Sequence, residues 1–324
     1  MKSSYTTILE AELAGFVNPS TGRLFEEPSR HIECPLCEGN KTEQEELFIK
    51  RGFRFVLCPG CGLVFVNPQV ESTQNKALYD TADSLKEWAR ILRDDSQVRF
   101  DLGIYSSILD LCKPMHAKKK NDCLDISMRG GLLSECEAVL GWNLEFLDFA
   151  GPTREQGRSC RPSFTFYNEF DQIKKLGKTY DVVISMEGIE HFSNPLSFAR
   201  DVHGLLRDGG VFCGVLSNVE SLLARLLGAD TPMFDGLYQK FFFHSTSLSR
   251  ALKLAGYRDV VLHSKVPCSD KIIKHLNRMT PNNKNLVSGE IINKIAKSAE
   301  SHLLGYKMIF AARRALNPTS QLII

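Results

Sequence analysis

Tyr180-Asp181-Val182-Val183-Ile184-Ser185-Met186-Glu187-Gly188-Ile189-Glu190-His191-Phe192-Ser193-Asn194-Pro195 runs from an apolar strand pattern, through a charged loop, into a proline that can open a helix. Working outward, Cys123-Leu124-Asp125-Ile126 and Leu144-Glu145-Phe146-Leu147 read as earlier strands, with a helix expected over Leu132 to Leu140 between them. Phe164 to Tyr167 reads as a third strand. Downstream come a helix from Pro195 to Leu206, a strand at Gly210 to Val215, a helix from Ser247 to Leu254 and a strand at Asp259 to Leu262. Tyr306 to Ala311 returns as a final strand after Lys265 to Leu304, whose Ile and Leu spacing among Lys, Asn and Ser predicts a helical insertion. Strand and helix alternating in this way predict an α/β domain, a mostly parallel sheet with helices on both faces.

The chain of 324 residues can bury one full core and carry a small appended module. Its 43% hydrophobic and 24% charged residues describe an ordinary soluble composition, and no apolar run reaches the length of a membrane span. A net charge of +2 provides no general attraction to nucleic acid, and Lys118-Lys119-Lys120 is the densest basic run. Met1 to Phe16 carries Glu10 and Glu12 rather than an apolar stretch, so a cytoplasmic setting is expected.

Ahead of the α/β pattern, Cys34, Cys37, Cys58 and Cys61 form two C-x-x-C knuckles. Each knuckle can place two thiolates on one tight turn, and two facing turns complete a tetrahedral zinc site. Two disulfides, a redox pair or merely buried thiols are the competing readings. A closed four-thiolate site is structural, so chemistry is sought elsewhere. Arg54 to Leu57 and Leu63 to Val66 read as short strands flanking the second knuckle, and apolar positions from Glu71 to Leu111 predict two or three linking helices.

The Tyr180 to Pro195 stretch, with Leu205-Leu206-Arg207-Asp208-Gly209-Gly210-Val211, resembles the class I S-adenosylmethionine-dependent methyltransferases. Phe243 to Leu248 and Ala255-Gly256-Tyr257 are similar to that family's later motifs. The resemblance covers about Asp122 to Ala312, and the cysteine module is similar to one found in sugar and secondary-metabolite methylation. It implies a Rossmann-like seven-stranded sheet with a small N-terminal zinc-binding module.

The resemblance also implies site residues. Leu124-Asp125-Ile126-Ser127-Met128-Arg129-Gly130-Gly131 aligns with the family's glycine turn, with Ser127 and Arg129 replacing two glycines that let the backbone approach the cofactor. Arg129 either pairs with the cofactor carboxylate or fills its space. Asp125, Ser127, Arg129, Gly131, Asp148 and Asp171 are the expected cofactor-binding set, Asp148 for the ribose hydroxyls and Asp171 for the adenine amino group. Glu187, Glu190 and His191 are the expected catalytic set; at i, i+3 and i+4 they resemble a divalent-ion motif, so Mg²⁺ or another divalent ion is a candidate there. In relatives a histidine often precedes the aromatic run, whereas Gln239 and Lys240 stand here.

These readings divide the chain into an arm (1–28), a zinc-ribbon module (29–70), a helical linker (71–115), a methyltransferase-like domain (116–316, with 265–304 inserted) and a tail (317–324). The expected activity is methyl transfer from S-adenosylmethionine to a small hydroxylated or sugar-like acceptor, with structural Zn²⁺. The alternatives are a catalytically inactive binding or scaffold protein and an RNA methyltransferase, the latter disfavoured by the charge. A homo- or hetero-oligomer is compatible with the sequence.

Overall fold

The computed structural model describes residues 4–37, 44–115, 120–266 and 289–315. Its centre is a seven-stranded sheet in the order Thr165–Tyr167, Asn143–Leu147, Asp122–Ser127, Tyr180–Met186, Leu206–Ser217, Lys307–Arg314, Tyr257–Lys265. Lys307–Arg314 runs antiparallel to both of its neighbours, and the other strand pairs are parallel. The chain order reverses beside Asp122–Ser127, and open α/β sheets bind ligands outside the carboxyl ends at such a point. All seven residues of Tyr180–Met186 are buried, as a central strand covered on both faces requires.

Local chemistry accounts for the elements that frame this edge. Asn194 accepts a hydrogen bond from the Ser197 amide and Pro195 occupies the first turn, so the chain leaves the Glu187–His191 loop directly into the helix Pro195–Leu205. Three helices, Ser72–Thr81, Asp83–Ile91 and Asp95–Cys112, precede the sheet; Asp94 caps the third through the Ser96 and Gln97 amides. Tyr105 and Ile108 of that helix are buried against the strands.

The cysteine module is continuous with the main domain. Glu45–Lys50, Phe53–Leu57 and Val64–Val66 form an antiparallel sheet, and its fourth strand, Phe241–Phe242, comes from the far side of the chain. Phe55, Phe234 and Phe242 pack there with ring centroids 4.9 to 5.5 Å apart. Burying each such ring contributes roughly 1.5–3 kcal/mol, so the module is held by core packing as well as by strand pairing.

Several expectations need correction. The expected arm folds: Ser4–Ala14 is helical, Leu9 and Leu13 are buried, and Glu12 accepts hydrogen bonds from the Ser84 amide and hydroxyl. The helix expected over Leu132 to Leu140 is two 3₁₀ turns, Leu132–Glu135 and Glu137–Val139, divided at Cys136 by an extended backbone. The strand expected at Asp259 to Leu262 runs longer, as Tyr257–Lys265, while within the expected helical insertion Gly289–Ser301 is helical; residues 267–288 lie outside the described residues, as do 116–119, which hold most of the lysine triplet. Among the described residues no helix is long and apolar enough to cross a membrane.

Candidate active site

The turn after Asp122–Ser127 shows what the two lost glycines mean. Gly130 and Gly131 take φ of +57° and +78°, the left-handed conformation that favours glycine. A Cβ on Gly131 would lie 2.9 Å from Phe166, so the turn is packed closely against its surroundings. Arg129, 6% exposed, points its guanidinium toward the preceding helices: 4.9 Å over the Trp88 ring, 3.0 Å from Asp101 and 2.7 Å from Glu187. Glu187 in turn pairs with Lys307, giving a chain Asp101–Arg129–Glu187–Lys307 of two cations and two carboxylates that is buried at Asp101 and Arg129 and half-buried at Glu187 and Lys307. Burial and the nearby Arg129 push the Lys307 pKa down to about 7, which the Asp101 carboxylate opposes.

Two expected cofactor carboxylates are directed inward. Asp125 accepts hydrogen bonds from the Tyr105 and Ser127 hydroxyls at 2.8 and 2.9 Å. Asp148 accepts from the Gly130 amide, the Ala150 amide and the Thr153 hydroxyl at 3.3, 3.1 and 2.7 Å. Both are 1% exposed, and burial raises both pKa values to about 7 against those hydrogen bonds. Their work is to tie the turn to its neighbours. Of the expected cofactor-binding residues, Asp125, Ser127, Gly131 and Asp148 line neither of the two cavities described next.

A cavity of about 370 Å³ opens at the carboxyl edge of the sheet under the helix Ser72–Thr81, bounded by Tyr79, Phe149, Phe170, Asp171, His191 and Phe192. A second, of about 200 Å³, is bounded by Trp88, Arg129, Glu187, His191, Tyr238 and Lys307. His191 borders both. Its Nδ1 lies 3.0 Å from the Tyr79 hydroxyl, and it hydrogen-bonds the Tyr238 backbone. Burial, with Arg129 and Lys240 nearby, lowers its pKa to about 3, so the ring is neutral near pH 7.

Glu187, Glu190 and His191 do not converge as a divalent-ion site. Glu187 sits at φ +55° and turns its carboxylate to Arg129 and Lys307. Glu190, 1% exposed, accepts from the Ser217 amide and the Gln239 side-chain amide at 3.4 and 3.1 Å, and burial raises its pKa to about 7. The helical spacing expected for the three side chains is lost because Glu187 leaves the right-handed region. Of the expected residues, Arg129, Asp171, Glu187 and His191 reach the cavities. Sequence reasoning missed the aromatic walls Phe149 and Phe192, the placement of the expected helix Ser72–Thr81 over them, and Lys307, because all three arise from tertiary packing.

The four knuckle thiols do converge. Cys34 and Cys61 Sγ atoms are 3.5 Å apart, those of Cys37 and Cys58 3.6 Å, and all four lie within 4.8 Å of one another. A tetrahedral zinc with Zn–S of about 2.3 Å needs sulfurs roughly 3.8 Å apart, so the donor set fits that ion. These cysteines are free thiols in the structure. They are the one group of three or more such ligand side chains among the described residues. His244 packs its ring on Gly62 of the second knuckle, and Arg250 donates to the Leu36 carbonyl, so the site is clamped to the main domain.

A family described as a methyltransferase domain matches residues 100–262, half of the chain, and the chain belongs to that family. The ubiquinone biosynthesis O-methyltransferase of Ruegeria pomeroyi is 33% identical over 117 residues, 34% of this chain and 47% of that protein. That of Vibrio parahaemolyticus is 33% identical over 115 residues, 33% and 49% respectively. The chain thus spans about half the length of these curated relatives. Among solved structures, an S-adenosylmethionine-dependent methyltransferase from Archaeoglobus fulgidus superposes with a TM-score of 0.44 at 17% identity, covering 65% of this chain and 93% of that one. A Haloferax volcanii complex between the Trm112 methyltransferase activator and a methyltransferase gives 0.48 at 13% identity, covering 73% and 100%.

Proposed function

We propose that this chain is an S-adenosylmethionine-dependent methyltransferase acting on an oxygen of a small hydroxylated or sugar-like acceptor. Beside family membership, the observation that carries this reading is His191, which separates an aromatic cavity from a second, polar one at the ligand-binding edge of the sheet. The cofactor supplies a sulfonium methyl. Phe149 and Phe192, packed edge-to-face with ring centroids 5.3 Å apart, would form one aromatic wall against its adenine, Asp171 would accept from the adenine amino group, and the second cavity would orient the acceptor. Transfer is an in-line displacement, so alignment in a dry site matters more than acid–base strength. A neutral His191 held by Tyr79 and Tyr238 suits positioning better than proton abstraction. The O-methyltransferase names of the relatives support oxygen as the acceptor atom.

Zn²⁺ on Cys34, Cys37, Cys58 and Cys61 belongs to this reading as a structural ion. A second reading, an inactive binding protein, is favoured by the Arg129 network and by Asp148, whose carboxylate is already occupied. Incubation with methyl-labelled S-adenosylmethionine and a panel of catechols, phenols and sugars separates the two. Label transfer that falls in His191→Ala supports the enzyme; binding of the cofactor without transfer to any acceptor supports the inactive protein.

A further inference from the structure

The rim of the larger cavity is electrostatically balanced. Lys76 pairs with Glu169, Arg154 with Asp80 at 3.2 Å, and Lys174 with Asp201 at 2.6 Å. Lys240 is different. It is 3% exposed, it lines the same cavity beside His191, and among the described residues its ammonium has neither a hydrogen bond nor an ion pair. The carboxylate that influences it, Asp235, already accepts from the amides of Leu237, Tyr238 and Gln239. A buried cation left without a partner is costly, and the cost is removed when a ligand brings the opposite charge. The other two cations nearby are committed, Arg129 to Asp101 and Glu187, and Lys307 to Glu187.

We propose that Lys240 is a carboxylate subsite: its ammonium receives the single negative charge of whatever occupies the aromatic cavity. This rests on the proposed reading of this cavity as the cofactor site, with the acceptor entering from the second cavity across His191, which borders both. Beside Tyr79, Phe149 and Phe192, one ammonium without a carboxylate partner matches a single carboxylate, since Lys76, Arg154 and Lys174 of the same lining are already paired with acids. The carboxylate has two sources: the amino-acid end of S-adenosylmethionine, which Arg129 is not free to bind, or an acid group on the acceptor. Burial lowers the Lys240 pKa to about 8, so the amine remains mostly protonated near pH 7 and available to an anion.

The test uses two pairs of ligands matched in shape and differing in the carboxylate, titrated calorimetrically into zinc-loaded wild type, Lys240→Met and the charge-preserving Lys240→Arg. S-adenosylhomocysteine against its decarboxylated analogue, which keeps the amine, reads the cofactor source. 3,4-Dihydroxybenzoate against 3,4-dihydroxybenzyl alcohol, in the presence of S-adenosylhomocysteine, reads the acceptor source. Lys240→Met is expected to weaken the acidic member of one pair by about tenfold or more, with the neutral member unchanged and Lys240→Arg near wild type. The pair that responds names the source. If wild type binds neither adenosine ligand while the benzoate pair still discriminates, the subsite stands and the cofactor reading fails. If neither pair shows a loss specific to the acid, the subsite is overturned.

Discussion

Arg129 occupies a position where the family resemblance expects glycine, and its guanidinium is balanced by two carboxylates rather than left to a ligand. Asp101 and Arg129 have side chains 2% and 4% exposed. Removing one member of such a buried network leaves charge uncompensated, which typically costs about 3–5 kcal/mol. Arg129→Met should therefore lower stability by that order in urea denaturation, and adding Asp101→Asn should recover part of the loss. Glu190 provides a pH test. Its folded pKa of about 7 lies above the ordinary value of 4.5, so its contribution is fully present below pH 4.5 and is lost as pH rises through about 7. Glu190→Gln should flatten the decline of stability over that window, by about 2–3 kcal/mol across it. An unchanged slope in urea titrations from pH 4.5 to 7.5 would show that another group sets the decline.

At the scale of elements, three segments distant in sequence meet at the Lys240 backbone. The Val66 amide donates to the Lys240 carbonyl at 2.9 Å, and the Lys240 amide donates to the Glu190 carbonyl at 3.0 Å. The cysteine module is thereby wired to the loop that carries His191. Chelation of zinc, or Cys58→Ser, should accelerate amide hydrogen exchange at Val66, Lys240 and Phe241 before it affects the central strand Tyr180–Met186. The cysteine spacing and the strands around it were legible because knuckles and apolar runs are local signals. The fourth strand, Phe241–Phe242, was not, since its partner lies some 170 residues earlier and a two-residue strand has no periodicity of its own. The failed helix at Leu132 to Leu140 has a comparable cause. Its apolar spacing is helical, yet Cys136 takes an extended conformation and Leu132, Leu133 and Val139 are buried by two short turns instead.

Over the whole molecule, the mostly parallel sheet and the carboxyl-edge location of the site follow from strand–helix alternation, which sequence carries well, while the seven strands are what the family resemblance implies. Side-chain direction at that edge does not follow, because it depends on which neighbour neutralises or accepts from each group. Asp125 and Asp148 illustrate this: the strand-end positions are as expected, but the carboxylates bond to Tyr105 and Thr153 and not toward a cavity. The proposed cofactor site is therefore the cavity walled by Phe149, Phe192 and Asp171, with the glycine turn as a brace beside it. Phe149→Ala should weaken S-adenosylhomocysteine binding by roughly tenfold through lost stacking while leaving zinc content unchanged by metal analysis. The most direct test is calorimetric titration of the zinc-loaded wild-type protein with S-adenosylhomocysteine. One-to-one binding in the micromolar range, abolished or strongly weakened in Phe149→Ala, is the expected result; no binding by a folded, zinc-replete protein would contradict the assignment of this cavity and the methyltransferase reading with it.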